Sequence, residues 1–328
     1  MSRQGITSDP HAGFDRPGRG SRPRTKDRPT YDKAVDAMVI TVDRGRFRCL
    51  IEGQDEQVSA TKARNLGRKA VIVGDRVRLV GDTSGVEGSL ARIVEVDERD
   101  TVLRRTADDD DPFERPIVAN ADQLVIVTAL ADPPPRVGMI DRILVAAYDA
   151  RLDPVLVLTK ADLGSPDELI AAYRPLGVPV VTTELGSELS ELRRLLAGHR
   201  SVLVGHSGVG KSTLVNALIP AIHREVGEVN EVTGRGRHTS TSAMALALPE
   251  PGGWVIDTPG VRSFGLSHVT PDSFIAAFSD LADIVEDCPR GCRHDSTEPE
   301  CALDAALADG RLSAERLESF RRMERAFG

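Results

Sequence analysis

Between Ala37 and Val96 the apolar residues come in short runs separated by turn-forming residues. Ala37–Val42 and Arg46–Ile51 flank Asp43-Arg44-Gly45, which reads as a β-hairpin. Gln57–Thr61, Arg76–Val80 and Leu90–Val96 add three more alternating or apolar runs. Five short strands in so little chain predict a small closed barrel, with an OB-fold as the leading candidate. From residue 123 the pattern changes. Leu124–Leu130, Val155–Leu158, Val178–Val181 and Val202–Val204 are short apolar runs, as in buried strands of a parallel sheet. Ile140–Tyr148, Asp167–Tyr173 and Leu189–Leu196 lie between them with helical spacing. Met244–Leu248 and Trp254–Ile256 add two strands. This alternation predicts an α/β sheet with right-handed crossovers. Beyond about residue 270 the pattern is helical, and Leu312, Leu317, Phe320, Met323 and Phe327 predict the buried stripe of a last helix.

Composition and charge narrow the classes. The 328 residues allow two or three domains. No stretch reaches the roughly 18 uninterrupted apolar residues of a membrane span. The first residues are polar and lack the apolar centre of a signal peptide. These features predict a cytoplasmic chain without a membrane partner. The net charge of −8 excludes a blanket nucleic-acid binder. The charge is uneven, however: residues 1–30 carry +4 and the rest −12. That basic segment reads as a disordered arm, with a solubilising role and an RNA-binding role both open. Aromatic content of 4% argues against recognition by many base-stacking side chains. Asp108–Asp111, followed by Pro112, reads as a solvated linker ahead of a metal site.

Candidate chemistry concentrates in the second half. Ser201–Val204 reads as a strand, Gly205-His206-Ser207-Gly208-Val209-Gly210-Lys211-Ser212 follows it, and Ser212–Leu218 reads as the start of a helix. This is a phosphate-binding loop in the context that the motif requires. Its glycines let backbone N–H groups turn toward phosphate oxygens, and the helix N-terminus adds a favourable dipole. Lys211 is expected to reach the β- and γ-phosphates and Ser212 to ligate Mg²⁺. Asp257-Thr258-Pro259-Gly260 follows an apolar strand, so Asp257 is expected to hold Mg²⁺ through water and Gly260 to sense the γ-phosphate. Gly234–Thr241 lies between, rich in Gly and Arg, and reads either as a plain loop or as a switch whose threonine completes the Mg²⁺ shell.

Thr159-Lys160-Ala161-Asp162 sits at the end of an apolar strand, where ligands bind in α/β sheets. The Asp162 carboxylate suits the guanine N1–H and 2-amino pair, which adenine lacks, and Lys160 suits the base face. Locally, a surface Lys/Asp pair is an equal reading. The tetrapeptide precedes the phosphate loop, the reverse of the usual GTPase order. A circular permutation accounts for that, and it is expected to leave the tetrapeptide strand beside the phosphate-loop strand. An ATPase or kinase with an incidental tetrapeptide, and a binding module with a degenerate site, are the alternatives.

Cys288, Cys292, His294 and Cys301 fall within fourteen residues. Three thiolates and an imidazole read as a closed tetrahedral Zn²⁺ site of the structural type, in preference to three free thiols. Cys49 lies in an apolar strand and reads as a small buried hydrophobe.

The order of these motifs resembles the RsgA (YjeQ/YloQ) family of small-ribosomal-subunit biogenesis GTPases, over nearly the whole chain from about residue 36. The resemblance implies a circularly permuted P-loop GTPase domain over residues 107–268. An N-terminal OB-fold β-barrel over 34–106 and a C-terminal helical zinc-binding domain over 269–328 flank it, with a basic tail over 1–33. It implies a monomer that binds GTP and GDP and hydrolyses GTP when stimulated by the small ribosomal subunit. That activity would serve late subunit maturation through rRNA contacts. Nucleotide contacts would come from Thr159, Lys160, Asp162, Gly205 through Thr213, Asp257 and Gly260. Mg²⁺ would sit with the nucleotide on Ser212, Thr239 and Asp257, and one structural Zn²⁺ on the cysteine cluster. Val261 stands where usual GTPases carry a water-orienting Gln, and the family's switch histidine maps onto His238 as the catalytic group. The chain departs from the family at Thr159, usually Asn, and at a Cys288–Cys292 spacing one residue shorter. Thr182-Thr183-Glu184 matches the family's Ser-Ala-like base loop poorly, and no residue is carried over there.

Overall fold

The computed structural model describes residues 31–54, 56–67, 71–105, 115–220, 243–258, 266, 269–270, 274–276 and 278–325. Ala34–Gly328 forms one compact unit. Residues 1–30, the acidic run 108–111, the switch residues 234–241 with His238 and Thr239, Gly260, Val261 and Phe327 lie outside the described residues.

The barrel strands are β1 (Val35–Asp43), β2 (Arg46–Ile51), β3 (Gln57–Lys62), β4 (Arg76–Gly81) and β5 (Ala91–Val96). They run in the order β1-β2-β3-β5-β4, and β4 returns to β1. Only β3 and β5 pair in parallel. The first hairpin turns on Arg44 and Gly45, with φ of 43° and 84°, between the paired Asp43 and Arg46. Two consecutive left-handed residues suit the right-handed twist of the flanking strands. Alternate residues fill the interior, among them Val39, Cys49, Val58, Val77, Leu79 and Ile93. Burial pushes the Cys49 thiol up to about 12, in keeping with its reading as a small hydrophobe.

A ribbon not legible in the sequence follows: β6 (Val102–Arg105) pairs antiparallel with β7 (Arg115–Ala119) across the residues read as a linker. The expected boundary at 106/107 falls between its two strands. A polar joint ties the barrel to this ribbon. Asn120 Nδ2 donates to the Gly74 carbonyl at 2.9 Å. The buried Asp75 accepts from Arg99 Nε at 2.6 Å and Nη2 at 2.9 Å. A Cβ on Gly74 would lie 2.0 Å from the Ala119 oxygen, so this approach needs glycine.

The α/β region consists of β8 (Gln123–Ala129), α1 (Val137–Asp149), β9 (Asp153–Thr159), α2 (Asp167–Tyr173), β10 (Val180–Thr182), α3 (Ser190–Leu196), β11 (Arg200–Val204), α4 (Lys211–Leu218), β12 (Met244–Ala247) and β13 (Trp254–Asp257). Its strands lie in the order β12-β13-β11-β8-β9-β10, all parallel except β12. Alternation splits the side chains between two cores. Leu124, Ile126, Leu156 and Val202 join α1 and α2 on one face. Val125, Val127, Val157 and Leu203 join α3 and α4 on the other. Burial on both faces explains the near-continuous apolar runs.

One expectation fails here. The tetrapeptide strand β9 does not neighbour the phosphate-loop strand β11; β8 lies between them. The link between the two motifs is made above the strand ends instead, as described below. A second finding is a seam. Thr41 of β1 pairs with Met244 of β12, so the barrel and the α/β sheet share hydrogen-bonded strands.

The C-terminal region holds α5 (Ser279–Val285), α6 (Ala302–Ala308) and α7 (Ala314–Glu324). Ser313 caps α7, its hydroxyl accepting from the Arg316 N–H at 3.2 Å. Leu312, Leu317, Phe320 and Met323 are buried as expected. Phe320 stacks on Phe274 at 5.4 Å, and Phe278 meets Tyr148 of α1 edge-on at 4.6 Å. Arg322 fixes α7 to the α/β region. Its Nε lies 3.0 Å from Asp141 Oδ2, its guanidinium covers the Tyr173 ring at 5.0 Å, and the Tyr173 hydroxyl donates to Asp141 Oδ1 at 3.0 Å. Among the described residues no helix is long and apolar enough to cross a membrane.

Candidate nucleotide site and metal centre

The phosphate loop leaves β11 and leans over the C-terminal edge of β8. A Cβ on Gly205 would stand 2.2 Å from the Val127 carbonyl oxygen, so only glycine permits this approach. Gly208 and Gly210 hold φ of 85° and 93°, the left-handed region that turns the loop into α4. Ser207, Gly208, Ser212 and Thr213 are exposed, while Val209 is buried and anchors the loop.

The lean brings the loop to Thr159. Its hydroxyl lies 2.6 Å from the Val209 carbonyl oxygen and 3.3 Å from that of Thr128. A single hydroxyl proton can serve only one of these at a time, and the shorter contact is the tie to the phosphate loop. Thr159 is buried, so the threonine that replaces the usual amide acts as a strut between the motifs. Lys160 adopts φ of 56° and its ammonium donates to the Asp132 carbonyl. Asp162 is exposed beside it.

These pieces enclose a cavity of about 380 Å³. One wall is Thr159, Lys160, Asp162 and Leu163; the other is Thr183 through Ser187 with Leu189; Gly210, Thr213, Leu214 and Ala217 close it. The second wall is held to the first by backbone bonds. The Ala161 N–H donates to Thr183 O at 3.1 Å, and the Thr183 N–H to Leu158 O at 2.8 Å. Residues 183–187 therefore line the cavity, although the poor match of Thr182-Thr183-Glu184 to a base loop left them without an expected role. Their signal was positional: they follow a strand end next to β9. Gly205, His206 and Val209 also line a separate small hollow of about 20 Å³ with Pro133, Arg136 and Met139. It is too small for a nucleotide.

Lys211 and Asp257 lie outside the lining of that cavity and act on each other electrostatically. The lysine ammonium donates to the Gly205 and His206 carbonyls at 2.6 and 3.2 Å. Burial lowers its pKa, and the Asp257 carboxylate opposes that shift. Burial raises the pKa of Asp257, with Lys211 opposing. Asp257 Oδ1 is buried without a hydrogen-bond partner among the described residues. A buried unpaired carboxylate oxygen is costly, and a hydrated divalent cation is a group that would satisfy it. The Mg²⁺ expected here thus fits Asp257. The Thr258 hydroxyl donates to Leu203 O at 2.8 Å and pins the start of the turn to β11.

The cysteine cluster closes in space as it does in sequence. The ligand atoms of Cys288, Cys292, His294 and Cys301 all lie within 4.8 Å of one another. His294 Nδ1 stands 3.5 Å from the Cys288 sulfur and 3.9 Å from that of Cys301. Burial raises all three thiol pKa values. Three thiolates this close repel one another, and a cation among them removes that cost. The four side chains can hold a metal ion. Arg321 of α7 supports them from behind, donating to His294 O at 3.0 Å and to both Asp304 carboxylate oxygens at 2.9 and 2.8 Å.

With this geometry in hand, likeness to known proteins is informative. A model of the RsgA GTPase family matches residues 96–267. The chain belongs to the RsgA GTPase family. The small ribosomal subunit biogenesis GTPase RsgA of Pseudomonas aeruginosa is 42% identical over 281 residues, 83% of this chain and 80% of that protein. The namesake of Ectopseudomonas mendocina is 46% identical over 216 residues, 63% and 62% of the two chains. Among solved structures, YjeQ from Thermotoga maritima superposes with a TM-score of 0.67 at 27% identity, covering 89% of this chain and 98% of that one. YloQ, a circularly permuted GTPase, gives 0.64 at 24% identity, covering 92% and 96%, and shares the fold. The permuted GTPase fold and the GTPase activity expected from the motif order thus hold for this chain.

Proposed function

We propose that the chain binds GTP in the cavity of about 380 Å³ and hydrolyses it to GDP and phosphate in the service of small-subunit maturation. The GTPase role in maturation follows from family membership. The observation that carries the placement of the nucleotide is the Thr159 hydroxyl on the Val209 carbonyl at 2.6 Å, which joins the base-reading and phosphate-binding motifs around one cavity.

In this reading Asp162 accepts from the guanine edge, and Gly205 through Thr213 hold the phosphates, with Lys211 neutralising charge. Ser212, Asp257 and Thr239 hold Mg²⁺, Gly260 senses the γ-phosphate, and His238 orients the attacking water. Mg²⁺, when bound, would supply charge neutralisation at the phosphates. The cysteine cluster holds one structural Zn²⁺, as a borderline-soft ion suits three thiolates and an imidazole. The barrel over 34–106 and the zinc region over 269–328 flank the GTPase domain over 107–268. They contact rRNA through phosphates and shape, with the tail over 1–33 as a basic arm. The chain acts in the cytoplasm as a monomer.

Nucleotide turnover with and without small ribosomal subunits tests the whole reading, and turnover unchanged by the subunits overturns it. Asp162→Asn tests the base pocket, because it should shift preference from guanine to xanthine nucleotides. His238→Ala tests the catalytic assignment; stimulated turnover close to wild type rules it out.

A further inference from the structure

Large apolar side chains left in water are costly, and two of those in this chain line the nucleotide cavity. Leu163 is 55% exposed and Leu185 88%, the highest value among the exposed large apolar residues. The other leucines of the same cavity, Leu189 and Leu214, are buried and form part of the sheet core. The cavity therefore has an apolar floor that the fold needs and an apolar rim that it does not.

The rim is built. Leu185 stands at the corner of a tight turn in which the Ser187 N–H donates to Glu184 O at 3.2 Å. The next residue, Gly186, has φ of 82°, as the third position of a type II turn demands. The Ser187 hydroxyl braces the turn, donating to Glu184 O at 2.9 Å and lying 3.2 Å from the Glu184 N–H. Leu163 is fixed on the opposite wall by its own N–H on Lys160 O at 2.9 Å. Two braced backbones thus present two solvated leucines to one slot, with the Asp162 carboxylate beside them. A flat, weakly hydrated ring with a polar edge has the matching chemistry: apolar faces for the leucines and donors for the carboxylate.

We infer that Leu185, opposed by Leu163, is a positioning residue that holds the purine ring and sets how long the nucleotide stays bound. The inference rests on the nucleotide reading of the cavity. Leu185 withdraws from water only when a ring enters, so its contribution appears on binding and is absent from the stability of the free chain. It acts on a ring face, not on the edge that Asp162 reads, so it adds affinity for any purine nucleotide without choosing among them.

The test uses the full chain with a fluorescent GDP analogue and with GTP. Leu185→Ala is expected to raise Kd and the dissociation rate about tenfold, since most of a leucine's burial is lost. KM should rise in step while kcat moves by less than about twofold, and the GDP-to-XDP preference should stay as in the wild type. The Tm without nucleotide should match wild type, whereas the rise in Tm on adding GDP should shrink. Leu185→Met should restore tight binding, because it refills the slot with apolar atoms. GDP release from Leu185→Ala within twofold of wild type overturns the inference. If Asp162→Asn still changes base preference in that event, the cavity reading stands and the clamp alone falls. If Asp162→Asn changes nothing, both fall together.

Discussion

The proposed nucleotide site and the candidate metal centre are assembled in opposite ways. The first gathers residues near 160, 185 and 210 from the ends of separate strands, and two interleaved cores hold those strands in place. The second takes all its ligands from Cys288 to Cys301, in chain that has little regular structure between α5 and α6. A dispersed site inherits its geometry from the sheet, so single ligands there can be lost while the fold persists. A local site of short loops lacks such a frame, and the bound ion itself becomes the frame.

The largest effect is therefore expected at the metal. Cys292→Ala, or a strong chelator, should release the ion and loosen the region from residue 279 onward, leaving the barrel intact. Limited proteolysis with metal analysis reads both, and a protease-resistant C-terminal region without metal would collapse the contrast. Arg322→Ala comes next, because it strands the buried Asp141 carboxylate where α7 meets α1. A loss of about 3 kcal/mol is expected in denaturant unfolding, with much of it recovered in the Arg322→Ala/Asp141→Ala pair. That pair also tests whether the C-terminal region relies on the sheet core as well as on its ion.

Thr159→Val probes the dispersed site. It keeps the β-branched shape and removes the hydroxyl on Val209 O, leaving a buried carbonyl unpaired at about 1–2 kcal/mol. Nucleotide affinity should fall with it, as the strut between the motifs is gone. A variant that loses stability but binds GDP like wild type would show that the walls of the cavity do not need that strut.

The smallest effect is a pH dependence at Glu324. Burial, with Asp295 adding to it, raises its pKa from 4.5 to about 7. The folded chain then holds the proton more tightly than the unfolded chain, so stability falls as pH rises from about 4.5 through about 7. Glu324→Gln should remove that slope and raise Tm at pH 8. An unchanged slope would place the dependence elsewhere in the C-terminal region.

Much of this was legible before any coordinates. The apolar runs at 124–130, 155–158 and 202–204 announced a buried parallel sheet, because burial on both faces leaves few polar positions in them, Thr128 being one. The spacing of Cys288, Cys292, His294 and Cys301 announced a metal site, since ligands so close in sequence need little help to meet. The ribbon of β6 and β7 was not legible: four and five residues around an acidic run carry no period long enough to read. The loop at 183–187 was not legible as a motif either, since its contribution lies in backbone placement and one exposed leucine.

The order of the chemical motifs along the chain determined that the protein is a permuted GTPase, because loop composition and strand context are local properties. Which strand stands beside which was a tertiary outcome. β8 inserts between β9 and β11, a placement made by crossover packing that no residue near either motif encodes. The phosphate loop reaches the tetrapeptide strand β9 only by leaning over β8, where Gly205 lacks the atom that would stop it and Thr159 supplies the hydroxyl that holds it. That contact joins residues fifty apart, and it exists only once three strands have been set in order.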